Sequence, residues 1–156
     1  MRLTSSAIGP DARIPRAQSN FGDNRSPPLA WTPVAAARSY AIILDDPDAS
    51  DPQPFVHWLI WNIAGGVTAL PPGLPAAARL GDPPGAVQGR NGRGEIGYFG
   101  PRPPSGVHHY HFHIFALDTL LWVAPGADRA ALSAAMNGHV LAVGELVATF
   151  PAPGAG

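Results

Sequence analysis

No cysteine occurs in the 156 residues, so the chain has neither disulfides nor thiol chemistry. Long apolar runs are missing too: no stretch approaches the roughly eighteen unbroken apolar residues that a membrane-spanning helix needs. The opening MRLTSSAIGP has neither the basic segment nor the apolar run of a signal peptide. The expected location is therefore cytoplasmic. Charge is also sparse, with 13% of residues charged and ten basic against eleven acidic side chains for a net charge of −1. The basic residues are scattered; Arg90, Arg93 and Arg102 are their one loose cluster and lack interleaved aromatics suited to base stacking, so no nucleic-acid partner is expected. A membrane-surface role would need a basic amphipathic helix, which is not found.

What the chain has in quantity is turn formers. Nineteen prolines and eighteen glycines punctuate it too often for long helices. Between them lie apolar runs such as SYAIIL and FVHWLIWNI that read as strands. One short helix is signalled near the C-terminal end: Asp128 is a suitable N-cap, alanine-rich sequence runs from Arg129 to Met136, and Asn137-Gly138 weakens or ends it. Gly144 is read as separating this helix from a closing strand, ELVATF. Segments between Ala64 and Tyr98 read as long surface loops framing a site rather than as a linker, because the flanks are too short to fold separately. The length fits one domain over residues 1–156, burying about 70% of its unfolded surface. No internal repeat is visible.

Chemistry gathers in two places, DDPDAS…FVHW and GPRPPSGVHHYHF. Strand alternation places His108, Tyr110, Phe112, Ile114 and Ala116 on one face and His109, His111, His113, Phe115 and Leu117 on the other. The same rule aligns His57 with Phe55, Leu59, Trp61 and Ile63. A single histidine in an apolar row is ordinarily a buried imidazole satisfied by a backbone carbonyl. Two such rows beside Pro/Gly/Asp turns point to one polar pocket. The outward His109, His111 and His113 invite a metal, since alternate strand residues can converge on one ion. Three in a straight row converge poorly, however, and no carboxylate in the same segment completes a shell. That row reads as a solvated or loop-covered strand face, and neither metal nor cofactor is expected. His139 reads as a helix-end histidine. Ser105 beside His108 forms neither a nucleophile elbow nor a triad, and GRNGRG lacks the lysine and following helix of a phosphate loop.

The succession GDNRSPPLAW, DDPDAS, VHWLIWNI, GRNGRGEIGYFGPRPPSGVHHYHFHIFALD and AAMNGHVLAVGELVATF resembles the bacterial, Raf-kinase-inhibitor-like branch of the phosphatidylethanolamine-binding protein family, over about Phe21 to Phe150. The resemblance implies an all-β fold, an antiparallel β-sandwich with Greek-key connections, a short C-terminal helix and a small anion pocket at one end. It carries the pocket positions onto Asp46, Asp48, His57, His108 and Tyr110, with Pro103 and Pro104 shaping the rim. His57, His108 and Tyr110 are expected to donate to the anion, and Asp46 and Asp48 to orient the imidazoles and the loop. Arg102 stands where family members often have a cysteine or small residue, and His109, read as outward, stands where arginine is common. The implied ligands are phosphate-type anions such as phospholipid head groups, nucleotides or phosphorylated residues, through which a protein partner is regulated. Homodimerisation is compatible with this reading. The alternative is an enzyme acting on a small metabolite as hydrolase, isomerase or cyclase, with Asp46, His57 or His108 as general acid or base.

Overall fold

A computed structural model describes residues 1–155. Strands form where β-branched and aromatic residues run between turn clusters. They are β1 (Leu3–Thr4), β2 (Leu29–Trp31), β3 (Ser39–Asp46), β4 (Phe55–Ala64), β5 (Ala69–Leu70), β6 (Val87–Gln88), β7 (Val107–Leu117) and β8 (Val140–Pro151). One α-helix, α1 (Arg129–Met136), precedes β8. All strand pairings are antiparallel, in a five-stranded sheet of order β6-β4-β3-β7-β8 and a three-stranded sheet of order β1-β2-β5. This is the expected all-β class. Among the described residues, no helix is long and apolar enough to cross a membrane.

Every residue of the central strand β3 is buried, because both faces of its sheet are covered. On the inner face, Tyr40, Ile42 and Leu44 join Trp58, Ile60, Tyr110, Phe112 and Ile114 in one cluster with Leu3, Leu29, Trp31 and Leu70 of the small sheet. The outer face packs Ala41, Ile43, Leu59, Trp61 and Leu117 beneath Leu132 and Met136 of α1. Sheet packs on sheet on one side and helix on sheet on the other. Residues 89–106 then carry the chain from beside β4 to the start of β7, which lies beside β3. The β7 alternation is as read from sequence, with Tyr110, Phe112, Ile114 and Ala116 inward and Phe115 and Leu117 outward.

The β4 alternation is not. Leu44 faces Trp58 while Asp45 faces Val56, so His57 is an extra residue with no partner across β3. A second irregularity sets Tyr40 opposite Ile63 and Ile42 opposite Ile60, with Asn62 at a left-handed φ of 55°. Each bulge shifts the alternation by one residue. As a result Leu59 and Trp61 lie on the outer face, whereas Trp58, Ile60 and Ile63 lie on the inner one. The single row of His57 with Leu59, Trp61 and Ile63 is thereby corrected.

Gly144 needs a correction of a different kind. It lies inside β8 opposite Ile114 and separates nothing. A Cβ there would stand 2.9 Å from the Met1 carbonyl oxygen, so the glycine lets the N-terminal residue cross the strand. The helix bounds, in contrast, are as expected. The Ala131 amide donates to Asp128 Oδ1 at 2.9 Å, and Asn137 follows the last helical residue. Asp128→Ala should cost about 1 kcal/mol, read as a lower urea midpoint with unchanged slope, because one orphan helix amide loses its acceptor.

Candidate functional site

The end of β3, the start of β4, the start of β7 and the loops between them enclose a cavity of about 360 Å³. All seven residues expected from the sequence line it: Asp46, Asp48, His57, Pro103, Pro104, His108 and Tyr110. Phe55, Phe99, Arg93, Arg102 and Asp51 line it as well. A larger open groove of about 700 Å³ lies along Arg13, Arg16, Phe21 and Phe150, but none of its charged residues is buried. It gathers no comparable chemistry.

His57 reaches the cavity because of its bulge. Its ring makes an edge contact with Tyr110 at 5.2 Å and with Phe55 at 4.9 Å, and stacks on Phe99 at 5.5 Å. The loop that supplies Phe99 is stitched to β4 by the Phe99 amide, which donates to the His57 carbonyl at 2.9 Å. In return His57 Nδ1 donates to the Phe99 carbonyl. A carbonyl only accepts, so Nδ1 carries the proton and Nε2 of the neutral ring keeps its lone pair. Burial holds the His57 imidazole below its ordinary pKa of 6.5, with the Phe99 carbonyl and nearby Asp46 opposing this only in part.

His108 is oriented differently. Its Nδ1 donates to Asp46 Oδ2 at 2.6 Å, and both residues are buried. Asp46 Oδ1 accepts from the Asp48 amide at 2.8 Å, which fixes the first turn after β3. Asp48 orients the loop, as expected, but no pocket imidazole. Its Oδ2 accepts from both the amide (2.7 Å) and Nδ1 (2.8 Å) of the exposed His109, tying the β3–β4 connection to β7. Those hydrogen bonds keep the Asp48 carboxyl below the usual carboxylate range. His57 is oriented by a backbone carbonyl and His108 by a carboxylate, so of the two aspartates Asp46 orients an imidazole and Asp48 the loop.

Between the two imidazoles stands Tyr110. Its ring is stacked near His108 at 6.5 Å, and its buried hydroxyl has no hydrogen-bond partner among the described residues. Burial, reinforced by the charges of Asp46 and Asp48, pushes the phenol well above its ordinary pKa and keeps it a donor. At the rim, Arg102 lies over the Phe21 ring at 4.8 Å and donates to Asn20 at 3.2 Å, while Arg93 lies over Phe99 at 5.2 Å. The rim therefore carries two guanidinium groups above a floor of imidazoles, a phenol and a carboxylate.

The loop behind Phe99 gives the GDNRSPP motif its role. Asn24, of GDNRSPP, accepts from the Gly100 amide at 2.6 Å and donates to the Tyr98 carbonyl at 3.1 Å. Gly100 must be glycine there, because a Cβ would fall 2.2 Å from the Gln18 carbonyl oxygen. Phe55 was within reach of the sequence, two residues before His57 at the strand start. Phe99 and Arg93 were not, since their loop is placed only by its pairing with β4.

The model of the family described as phosphatidylethanolamine-binding protein matches residues 4–151. This chain belongs to that family. It is 45% identical over 151 residues to a UPF0098 protein of Methanothermobacter thermautotrophicus, covering 96% of this chain and 98% of the relative. Among solved structures, a phosphatidylethanolamine-binding protein homologue from Chlamydia trachomatis superposes with a TM-score of 0.85 at 36% identity, covering 96% of this chain and 95% of the other. YbcL of E. coli, described as a member of the mammalian family, superposes with a TM-score of 0.84 at 31% identity, covering 96% and 97%. Family membership supports a ligand-binding protein of this type and the all-β fold.

In this family member the state of His57 has a consequence for stability. The folded chain takes up the His57 proton at lower pH than the unfolded chain does, so the unfolded state binds more protons as pH falls below the ordinary value of 6.5. Stability is full above that pH and declines below it. His57→Phe should flatten this part of a stability profile measured by urea unfolding between about pH 7.5 and 5.5. An NMR titration of the wild type should place the His57 midpoint below 6.5.

Proposed function

We propose that the cavity binds a small phosphate-type anion, such as a phosphate monoester or phospholipid head group. The observation that carries this reading is the buried Tyr110 hydroxyl between His57 and His108, unpaired among the described residues. A buried donor without an acceptor costs about 1–3 kcal/mol, and an oxyanion on the cavity side offsets that cost. His108 supports the same reading. With Asp46 on its Nδ1, a proton on Nε2 gives the anion a charged donor while keeping the carboxylate one ring away. The neutral His57 Nε2 accepts instead, which suits the hydroxyl of a singly ionised phosphate, whose second ionisation lies near pH 6. Phe55 and Phe99 give an organic substituent an apolar wall, and Arg93 and Arg102 offset the three aspartates that line the cavity. A volume of about 360 Å³ fits a head group rather than a folded partner.

One observation favours acid–base catalysis as a second reading. The buried Asp46–His108 pair at 2.6 Å is the base-and-orienter arrangement of many hydrolases and isomerases. Ser105, the nearest serine in sequence, is exposed and makes no hydrogen bond with His108 among the described residues. This second reading is therefore proton transfer, not nucleophilic attack.

Phosphoethanolamine, inorganic phosphate and sulfate titrated into the protein should shift the ring signals of His57 and His108 together. Tyr110→Phe should weaken binding about tenfold or more, while stability stays level or rises, since the variant removes an unpaired polar atom. A loss of stability with unchanged affinity would give the hydroxyl a structural role instead. Phosphoethanolamine recovered intact by phosphorus NMR after long incubation supports binding over catalysis.

Sulfate, which does not titrate in this range, separates the protein's protons from the ligand's. Its affinity should rise as pH falls from about 8 to 5.5, because protonated imidazoles supply charge-assisted hydrogen bonds. The His57 share of the rise should come below 6.5, as burial delays that proton. Pro103→Ala should weaken the anion complex with little loss of stability, the proline having fixed the rim rather than the core.

A further inference from the structure

Across the sheet from the anion cavity, the outward histidines of β7 do not behave as a plain row. His109 is taken by Asp48. His111 and His113 stack at 5.9 Å between ring centroids with 17° between their planes, and both are about a quarter exposed. The carboxylate missing from their own segment comes from the neighbouring strand: Glu145 of β8 lies opposite His113. Its Oε2 stands 3.3 Å from His111 Nδ1 and 3.3 Å from His113 Nδ1.

Those distances lie just beyond the usual range of N–H···O hydrogen bonds, which ends at about 3.2 Å, and of the two only the His111 contact has hydrogen-bond geometry. They match another geometry. Ligands bound at ~2.0–2.1 Å around a tetrahedral ion are separated by ~3.3–3.4 Å along each edge. One ligand atom from each of His111, His113 and Glu145 lies within 4.8 Å of the other two. Two edges of the triangle already have the required length.

The protonation pattern fits as well. His113 Nε2 lies 3.3 Å from Asp45 Oδ1, and Asp45 is buried with Arg129 Nη1 at 2.7 Å from its other oxygen. Asp45 is the natural acceptor for an Nε2 proton, which leaves the lone pair on Nδ1, the atom facing Glu145. A carboxylate behind a ligating histidine is the usual way a metal site fixes tautomer and ring orientation. Held by α1 through Arg129, this carboxylate is itself fixed. The expectation of no metal rested on the poor convergence of three histidines in one row and on there being no carboxylate in their segment; pairing of His109 with Asp48 leaves two histidines, and strand pairing supplies the carboxylate.

We propose that His111, His113 and Glu145 form a site for a divalent first-row transition metal of the zinc or copper class, with Asp45 positioning His113. Two imidazoles and a carboxylate suit those ions rather than calcium or magnesium, which prefer all-oxygen shells. Three protein ligands on an exposed strand face leave a further coordination position for solvent. The site lies on the face opposite the anion cavity and does not depend on the reading proposed for it.

The test is calorimetric titration of Zn²⁺ and Cu²⁺ into chelator-treated protein, with melting temperature and histidine NMR signals followed in parallel. One ion per chain should bind, raise the melting temperature, and perturb His111 and His113 ahead of the other histidines. His111→Ala, His113→Ala and Glu145→Gln should each weaken binding by about tenfold or more. These positions are partly exposed, so circular dichroism of the metal-free variants should match wild type. His109→Ala and His139→Ala, each removing a histidine that pairs with an aspartate elsewhere, should bind as wild type does. Absence of saturable one-to-one binding, or binding that survives all three ligand variants, or binding lost in His109→Ala instead, would overturn the proposal.

Discussion

The extra residue at His57 is the constraint on which the candidate site depends. In a regular β4, alternation from Leu59 would send His57 to the outer face, beneath the helix and away from His108 and Tyr110. One unpaired residue against Leu44 and Asp45 turns it inward, and the side chain then meets Tyr110 on one flank and Phe99 on the other. A bulge at that place leaves local backbone without ladder partners, and the loop around Phe99 supplies them: its amide takes the His57 carbonyl and its carbonyl takes Nδ1. Asn24 and Gly100 hold the next stretch of the loop against the Gln18–Ser19 backbone. The position of one imidazole thus draws together β4, the 89–106 connection and the segment before β2.

How much of this could be read from the sequence follows from the range of the interactions involved. The β7 pattern was legible because an eleven-residue strand without a bulge before Ala116 keeps strict alternation, and its polar start beside GPRPP marks where the core ends. The helix was legible because its cap acts over three residues. The two polar segments and their strand rows pointed to one pocket and the family resemblance to its individual positions, but nothing local says that Asp46 and His108, sixty-two residues apart, share a hydrogen bond. The β4 face pattern departs from simple alternation because a bulge is decided by the partner strand; FVHWLIWNI is otherwise apolar on both faces, and its two polar residues, His57 and Asn62, sit at the irregularities themselves. Gly144 was misread for a similar reason: it answers to Met1, at the far end of the chain.

Asp45 and Asp46 show how two adjacent residues serve opposite faces of one sheet. Successive side chains on β3 point apart, so Asp46 enters the cavity and receives His108, while Asp45 enters the layer under α1 and receives His113 and Arg129. Burial alone would raise the Asp45 pKa; the hydrogen bonds from His113 and Arg129 outweigh it and keep the carboxyl below its ordinary value. A buried carboxylate without such partners would be costly in either layer. Each aspartate is therefore tied to a β7 histidine, and the β3–β7 register fixes both pairs at once.

That register also limits what can vary independently. His108 to His113 is a single extended segment in which even-numbered residues face the cavity side and odd-numbered ones the outer side. A slip of one residue would bring His109 and His111 toward the cavity and place Tyr110 beside Glu145, exchanging the chemistry of the two faces. The slip is opposed by Phe112 and Ile114, which would leave a fully buried inner layer for the exposed side. Each fully buried side chain of that size is worth about 1.5–3 kcal/mol, more than a typical net hydrogen bond of about 1 kcal/mol. Apolar packing in the middle of β7 therefore sets the positions of the polar groups at its start, and the site geometry is a consequence of the core rather than of the polar contacts within the site.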